Sequence, residues 1–379
     1  MDFELSSEQK DIQRAAAEFA QGEFDPDLAR ELDQAGQFPE AKWKKACQLG
    51  FVGIHYPEEF GGQGLGFLEN VLTIEAFCKV DSGIGSALSL VDAGSDVVMK
   101  FGSHEQKKSL LPLLAKGEKM LSFAFSESED AKDFSVCSTV AERKGNEYLI
   151  QGTKRFVPNA ALADAFVLLC KEAKEGWITL VAEKNQNFEI APIEKMGLRM
   201  VPCGDLRLNK VRVPLTKRLG KEGEGILHAG YCHHAMGLRG LAQAVGIAQG
   251  AFDRALQHSK QRMQFGRRLS EFQVIRHKLA DMAVCVEVAR WLTYKSAIEY
   301  DQGGLDPRFL SMAQLEVSRK LISAVDEGLQ IIGGYGYMAE QDMEHYFRDA
   351  WAVSVNLGTE EEQKDLISEK ILGSFPAKK

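Results

Sequence analysis

Three features are scarce in this sequence: long apolar runs, paired cysteines and clusters of basic residues. No segment approaches the ~18 consecutive apolar residues that a transmembrane helix requires. The opening MDFELSSEQKD also lacks the basic stretch followed by an apolar run that is typical of a signal peptide. We therefore expect a cytoplasmic protein without a membrane span.

The cysteines are scattered singly and no C-x-x-C pair occurs, so we predict reduced, buried thiols. One local group has residue types that could bind a metal, because positions i and i+4 lie on the same face of a helix. This group consists of His228, Cys232, His233 and His234. No second cluster would complete a metal site, so we predict packing or substrate-lining histidines and no metal.

Basic and acidic residues are interleaved along the chain, with 46 Lys and Arg against 54 Asp and Glu and a formal net charge of -8. This pattern argues against a nucleic-acid groove and against a patch for anionic membranes, which need clustered basic residues. The contents of 45% hydrophobic and 26% charged residues are those of a globular protein. A length of 379 residues favours two or three modules that share a core.

The hydrophobic period changes twice along the chain. From residue 5 to about 117, apolar residues recur at helical spacing, as in LENVLTIEAFCKV. Between about 120 and 215, short β-rich runs such as AFVLLC and WITLVAE alternate with turns, and from about 222 long helical patterns return. These changes predict an α+β, mostly α protein with a helical domain over 1–118, a β-domain over 119–218 and a helical domain over 219–379.

The segment GYGYMA, Gly334–Ala339, fits the G-x-G-x-x-A pattern of dinucleotide-binding loops. In such proteins the loop follows a strand and opens a helix. Here it follows a predicted helix, and an order of helices, strands and helices does not suit a parallel doubly wound sheet. We therefore reject a Rossmann interpretation.

Four stretches carry a resemblance to a known family. They are PEEFGGQGLG at 57–66, the block that begins QRMQFG at 261–266, QIIGGYGY at 330–337 and FRDA at 347–350. Together with the order of modules, they resemble the acyl-CoA dehydrogenase family over essentially the whole chain. The resemblance implies an N-terminal helical domain, a middle β-domain and a C-terminal four-helix bundle, assembled as a tetramer that behaves as a dimer of dimers.

The resemblance also implies an FAD cofactor between the β-domain and the bundle, with its adenosine end reaching a neighbouring subunit. A forked guanidinium suits a pyrophosphate, an aromatic ring suits adenine, amides suit polar edges and glycines let backbone approach phosphates. The residues that carry over are Arg262, Phe265, Gln273, Gln330, Gly333, Gly334, Thr359 and Glu361, with Ser126 from a β-domain stretch that also keeps Glu127 and Asp133.

The sequence departs from the family at the catalytic base. Family members remove the α-proton of a thioester with a carboxylate, which in most members is the Glu immediately before Gly-Thr. Leu357 occupies that place here, and the alternative place on the first bundle helix aligns with Met236. Neither side chain accepts a proton. Pro158 also replaces a family Thr that contacts flavin N5, and proline has neither a hydroxyl nor an N–H.

A relocated base is our alternative to a lost one. Asp92 and Asp96 have the i, i+4 spacing of one helix face. The resemblance implies that this region lines the acyl pocket, and that members acting on alicyclic acyl-CoAs use an aspartate from it. Desolvation would raise the pKa of an unpaired aspartate there and make it a better base. We predict Asp92, or second Asp96, as the base, and Arg239 as the residue that grips the CoA moiety.

These observations favour an FAD-dependent dehydrogenase of an unusual, possibly alicyclic, acyl-CoA that passes electrons to an electron-transfer flavoprotein. The dehydrogenation would be α,β or vinylogous. A second interpretation is a catalytically silent partner subunit in a heteromer with an active homologous chain. A third is a non-redox lyase that acts on an acyl-CoA.

Overall fold

The computed structural model describes residues 4–127, 137–174 and 176–373. Within these ranges the chain runs through helices, then strands, then helices again, so the predicted fold class is confirmed. None of the described helices combines the length and the hydropathy that crossing a bilayer would demand.

The N-terminal part is helical and its helices begin at recognisable caps. It consists of α1 (Ser7–Glu23), α2 (Pro26–Ala35), α3 (Glu40–Gln48), α4 (Phe67–Val80), α5 (Ser82–Leu88), α6 (Ser95–Phe101) and α7 (His104–Ala115). The Ser6 side chain caps α1 through a capping box with Gln9, and Asp25 caps α2 ahead of its first-turn proline. Helix α4 is buried along most of its length and forms the centre of this part.

In the described residues, the middle part is one sheet of eight strands. These are β1 (Leu121–Ala124), β2 (Val140–Lys144), β3 (Glu147–Pro158), β4 (Ala165–Glu172), β5 (Gly176–Glu183), β6 (Phe188–Ile193), β7 (Cys203–Pro214) and β8 (Arg218–Leu219). The strand order is β6-β7-β3-β2-β4-β5-β8, and β1 pairs with β4 in parallel. The first six residues of β4 are apolar because Phe166 and Leu168 face one core while Val167 and Leu169 face another.

The C-terminal part is a helical bundle. Its helices are α8 (Gly225–Gln261), α9 (Gln273–Asp301), α10 (Pro307–Ile332), α11 (Met343–Asn356) and α12 (Glu360–Leu372), with a β9–β10 hairpin (Met263–Gln264 and Arg267–Arg268) between α8 and α9. The GYGYMA segment lies in short 3₁₀ turns after α10, as we expected when rejecting a Rossmann loop.

The bundle and the N-terminal helices share one core. Helix α8 approaches α4 so closely that a Cβ on Gly246 would lie 2.5 Å from the Glu75 carbonyl oxygen, which explains the glycine. Across the same interface Arg290 Nε donates to Glu75 Oε1 over 3.0 Å, and Asp301 accepts the backbone N–H groups of Phe67 and Leu68 at the start of α4. The two helical parts therefore form one packed unit that holds the site described next.

Candidate functional site

The chain between α5 and α6 forms a turn that contains Asp92. Gly94 adopts a left-handed conformation, with φ 98°, and α6 begins only at Ser95. Our expectation that Asp92 and Asp96 share one helix face is therefore wrong, because the glycine interrupts the helix between them. The turn runs beside α8 and beside strand β1, where Leu121 N donates to Val91 O.

Both carboxylates nevertheless meet the same cation. Arg239 Nη1 donates to Asp96 Oδ2, and Arg239 Nη2 lies 3.5 Å from Asp92 Oδ1. The three side chains are at most 8% exposed, so each charge depends on the others for compensation. The ring of Phe67 lies 5.2 Å from the guanidinium carbon and closes one side of the group.

This arrangement corrects two expectations. We expected Arg239 to grip the CoA moiety, but it is 1% exposed and its guanidinium faces Asp92 and Asp96. We also expected unpaired aspartates with raised pKa values. Burial alone would raise the pKa of Asp96, but the charge of Arg239 and the nearby ring of His55 outweigh burial and hold that pKa below its usual range.

Two further residues complete this buried polar cluster, and sequence reasoning missed both. The Tyr56 hydroxyl donates to Asp92 Oδ2 over 2.5 Å, and His55 Nε2 lies 3.1 Å from Asp96 Oδ1. They stand immediately before the PEEFGGQGLG loop, one of the stretches that resemble the family. The sequence contains no further signal that they reach aspartates about 40 positions away. We call Tyr56, His55, Asp92, Asp96 and Arg239 the aspartate cluster.

Leu357 caps the end of α11 and packs against α8, the helix that carries Arg239. Its Cδ2 would be 3.0 Å from a Cβ on Gly240, the residue that follows Arg239, and Leu357 is 1% exposed within the shared core. Met236, one turn earlier on α8, also packs against that core. Both places where the family carries its base are therefore apolar, and the aspartate cluster is adjacent to them through α8.

The β-domain approaches the same turn from the other side. Asn159 Nδ2 donates to Leu90 O over 3.0 Å, and Ser122 Oγ donates to Pro158 O over 2.6 Å. Pro158 therefore lies beside β1, the strand that contacts the turn carrying Asp92. The turn that carries Asp92 is thus enclosed between α8 and the strand end where the family contacts flavin N5.

The start of the β-domain carries a second buried ion pair. Lys154 is 0% exposed and its ammonium donates to Glu127 Oε1 and to Cys137 Sγ. Burial alone would raise the pKa of Glu127, but the charge of Lys154 and hydrogen bonds from Cys137 and Lys154 lower it to about 2. The pair holds Glu127 next to Ser126, and the Ser126 carbonyl accepts from Arg155 N over 2.8 Å. Asp133 lies outside the described residues.

The residues expected to hold the pyrophosphate and adenine lie at one end of the bundle. The Arg262 guanidinium is 6.0 Å from the ring of Tyr335, which connects the end of α8 to the turn at Gly333 and Gly334. A Cβ added to either glycine would meet no atom within 4 Å, and Gly333 has φ 70°. The Phe265 ring is 92% exposed. This open end, with a forked cation and a free aromatic face, fits the adenosine and phosphate groups of FAD.

The remaining cofactor candidates lie at the ends of three helices of the bundle. Gln273 and Gln330 are exposed at the start of α9 and near the end of α10. The Thr359 hydroxyl accepts from Glu362 N and caps α12, while Glu361 is exposed in the first turn. Gln363 Nε2 donates to Leu357 O over 2.6 Å, so α12 also fixes the segment of the missing base.

Models of three domains match almost the whole chain. They are the acyl-CoA dehydrogenase N-terminal domain over residues 6–118, the middle domain over 122–211 and the C-terminal domain over 234–372. The short-chain-specific acyl-CoA dehydrogenase of Clostridium acetobutylicum is 35% identical in a match that covers 98% of this chain and 100% of the relative.

Solved structures show the same similarity in three dimensions. Butyryl-CoA dehydrogenase from Megasphaera elsdenii superposes with a TM-score of 0.93 and 30% identity, covering 98% of this chain and 100% of the other. A chain of a structure described as the electron transferring flavoprotein of Acidaminococcus fermentans gives a TM-score of 0.94 and 34% identity, covering 99% of this chain and 100% of that one.

Proposed function

Since this chain belongs to the acyl-CoA dehydrogenase family, we propose that it oxidises an acyl-CoA thioester with Asp92 as the base. Enzymes of the family are FAD-dependent oxidoreductases, and FAD when bound accepts the hydride of the substrate. The observation that carries the proposal is the aspartate cluster. Two carboxylates are buried against Arg239 on α8, next to a Leu357 that cannot take a proton.

The two carboxylates of the cluster have different roles in this proposal. Both oxygens of Asp96 face cationic or hydrogen-bonding groups, since Arg239 contacts Oδ2 and His55 lies 3.1 Å from Oδ1. Asp96 therefore anchors Arg239 as a lasting ion pair. Asp92 lies 3.5 Å from the same guanidinium and is the more weakly paired of the two. We assign proton uptake to Asp92 and the anchoring role to Asp96.

Charge balance supports this division. Asp92, Asp96 and Arg239 together carry a net charge of about -1 when both carboxylates are ionised, which is costly in a buried setting. When Asp92 takes the α-proton, or the equivalent proton of a vinylogous substrate, the Asp96–Arg239 pair remains and the net charge becomes zero. The hydride would leave from the β-carbon, or its vinylogous equivalent, to bound FAD, so the substrate loses one proton to Asp92 and one hydride to the cofactor.

The position of the base bears on the substrate. A base on the N-terminal turn approaches the acyl group from a different element than one that precedes Gly358, so a different carbon is within its reach. We propose a ring-containing or otherwise functionalised acyl group rather than a straight chain. We also propose an electron-transfer flavoprotein as acceptor, which the similarity to a chain of the Acidaminococcus structure supports, and assembly as a homotetramer or with a homologous chain.

Anaerobic titration tests the proposal. Purified holoenzyme is mixed with linear, branched and alicyclic acyl-CoAs, and flavin bleaching is followed by absorbance. We expect alicyclic thioesters to bleach the wild type and Asp92→Asn to retain FAD without bleaching, because asparagine keeps the shape but cannot take a proton. Bleaching of Asp92→Asn at the wild-type rate would overturn the assignment of the base.

Two outcomes would instead support the other interpretations. A chain that binds no FAD, or holds FAD that no thioester bleaches, would indicate the silent partner subunit. Pro158 and Leu357 favour that reading, since each removes a group that the family uses. A product formed from an acyl-CoA without any electron acceptor would indicate a lyase.

A further inference from the structure

The shortest contact that holds Asp92 comes from a tyrosine. The Tyr56 hydroxyl donates to Asp92 Oδ2 over 2.5 Å, whereas Ser95 Oγ and Arg239 Nη2 lie 3.4 and 3.5 Å from Asp92 oxygens. Tyr56 is 0% exposed, so water does not compete for this bond. The orientation of the Asp92 carboxylate therefore depends first on Tyr56.

The loop around Tyr56 is built to hold its ring. A Cβ on Gly53 would lie 2.6 Å from Tyr56 Cδ2, and a Cβ on Gly62 would lie 2.2 Å from the Tyr56 carbonyl oxygen. Tyr56 N donates to Gly53 O, and Gly64 N donates to Tyr56 O. The glycines of this loop thus let the chain wrap tightly around the ring, which fixes where the hydroxyl points.

We infer that Tyr56 is a positioning residue that orients Asp92 and favours its ionised form through the hydrogen bond that it donates. This inference rests on the proposed role of Asp92. A donor to a carboxylate stabilises the charged state and weakens the carboxylate as a base. Burial and the charge of Asp92 raise the pKa of Tyr56 well above its usual value, so the phenol remains a donor. Tyr56 itself transfers no proton.

The test is the pH dependence of flavin reduction in Tyr56→Phe. Phenylalanine keeps the ring and removes only the donor, so we expect the acid limb of the rate profile to move to higher pH by roughly one unit. Loss of orientation should also lower the maximal rate while the substrate concentration at half-maximal rate changes little. An acid limb at the wild-type position would overturn the inference.

The chain offers a matched control. Tyr294 is also buried and its hydroxyl donates to a buried carboxylate, Glu75 Oε2, over 2.7 Å. Tyr294→Phe removes the same kind of bond at a helix interface that is not part of the aspartate cluster. We expect its acid limb to coincide with that of the wild type. An equal displacement in both variants would contradict a specific role for Tyr56.

A second substitution covers poor folding of Tyr56→Phe. Fluorotyrosine at position 56 keeps the hydroxyl and makes it a stronger donor, so the acid limb should move to lower pH, opposite to Tyr56→Phe. Displacement in the same direction would overturn the inference. Failure of the proposed function is distinguishable, because Asp92→Asn would then still bleach the flavin. An inactive Asp92→Asn together with unchanged pH profiles in both Tyr56 variants would refute the positioning role of Tyr56 and leave the role of Asp92 standing.

Discussion

Leu357 packs against α8 at Gly240, where a Cβ would lie only 3.0 Å from its Cδ2. The residue before Gly-Thr therefore contacts α8 beside Arg239 from the end of α11, and its apolar side chain is 1% exposed in the core. The usual position of the base is filled rather than missing. A carboxylate introduced there would lie at the end of α11, beside the part of α8 that carries Arg239.

Arg239 should be needed for folding more than surface arginines are. Arg239→Gln leaves Asp92 and Asp96 buried without their cation, which we expect to cost about 3–5 kcal/mol of unfolding free energy. Chemical denaturation monitored by tryptophan fluorescence measures this loss. The surface pair of exposed Arg212 and half-buried Glu147 supplies the control, and Arg212→Gln should leave the midpoint close to that of the wild type. Similar midpoints for both variants would contradict the importance of the buried pairing.

Because of His345, the stability of the protein should fall as the pH rises into the alkaline range. Its Nδ1 lies 3.3 Å from Asp33, and its Nε2 lies 3.3 Å from Asp349 and 3.8 Å from Asp81. Burial alone would lower the pKa of His345, but the charges of these aspartates raise it well above its usual value. The His345 imidazolium thus stabilises the fold fully at pH values below about 6.5, which is the pKa of histidine in the unfolded chain. This contribution is lost as the pH rises through the higher pKa of the folded protein.

Melting temperatures from pH 5 to 10 test this contribution, at one protein concentration. Other groups also face the cluster around His345: Arg348 donates to Asp33, and Arg254 lines the adjoining cavity of about 180 Å³. The wild type should lose stability progressively above about pH 6.5, and His345→Gln should flatten that slope. His277 is exposed, so His277→Gln should follow the wild type. If the melting temperature of His345→Gln fell with pH as steeply as that of the wild type, His345 would not be charged in the folded protein.

Arg262 should contribute to FAD affinity without affecting the aspartate cluster. Losing a charge-assisted contact to a pyrophosphate should weaken FAD binding by roughly 10- to 100-fold in Arg262→Gln. Ultrafiltration followed by absorbance of the retained flavin measures this affinity. Arg308 lies at the start of α10, where it pairs with Asp306, and Arg308→Gln serves as the control. Equal FAD retention in the two variants would contradict the placement of the pyrophosphate.

The sequence predicted the order of the parts because a change of hydrophobic period needs only local information. It did not predict the aspartate cluster, whose contacts join Tyr56 to Asp92 and Asp96 to Arg239 across 36 and 143 positions. Spacing alone also failed at Asp92, since a left-handed Gly94 ends any helix between the two aspartates. The pKa expectation failed for Asp96 because its cation comes from a distant helix. Burial could be predicted, but the partner could not.

The role of Asp92 can be tested by anaerobic flavin bleaching. The wild type, Asp92→Asn and Asp92→Asn/Leu357→Glu are each mixed with an alicyclic and with a straight-chain acyl-CoA. With Asp92 as the base, we expect the alicyclic thioester to bleach the flavin of the wild type and not that of Asp92→Asn. In the double variant, a carboxylate before Gly358 should restore bleaching, and the straight-chain acyl-CoA should bleach the flavin faster than the alicyclic one. Bleaching of Asp92→Asn at the wild-type rate would show that Asp92 is not the base of this enzyme.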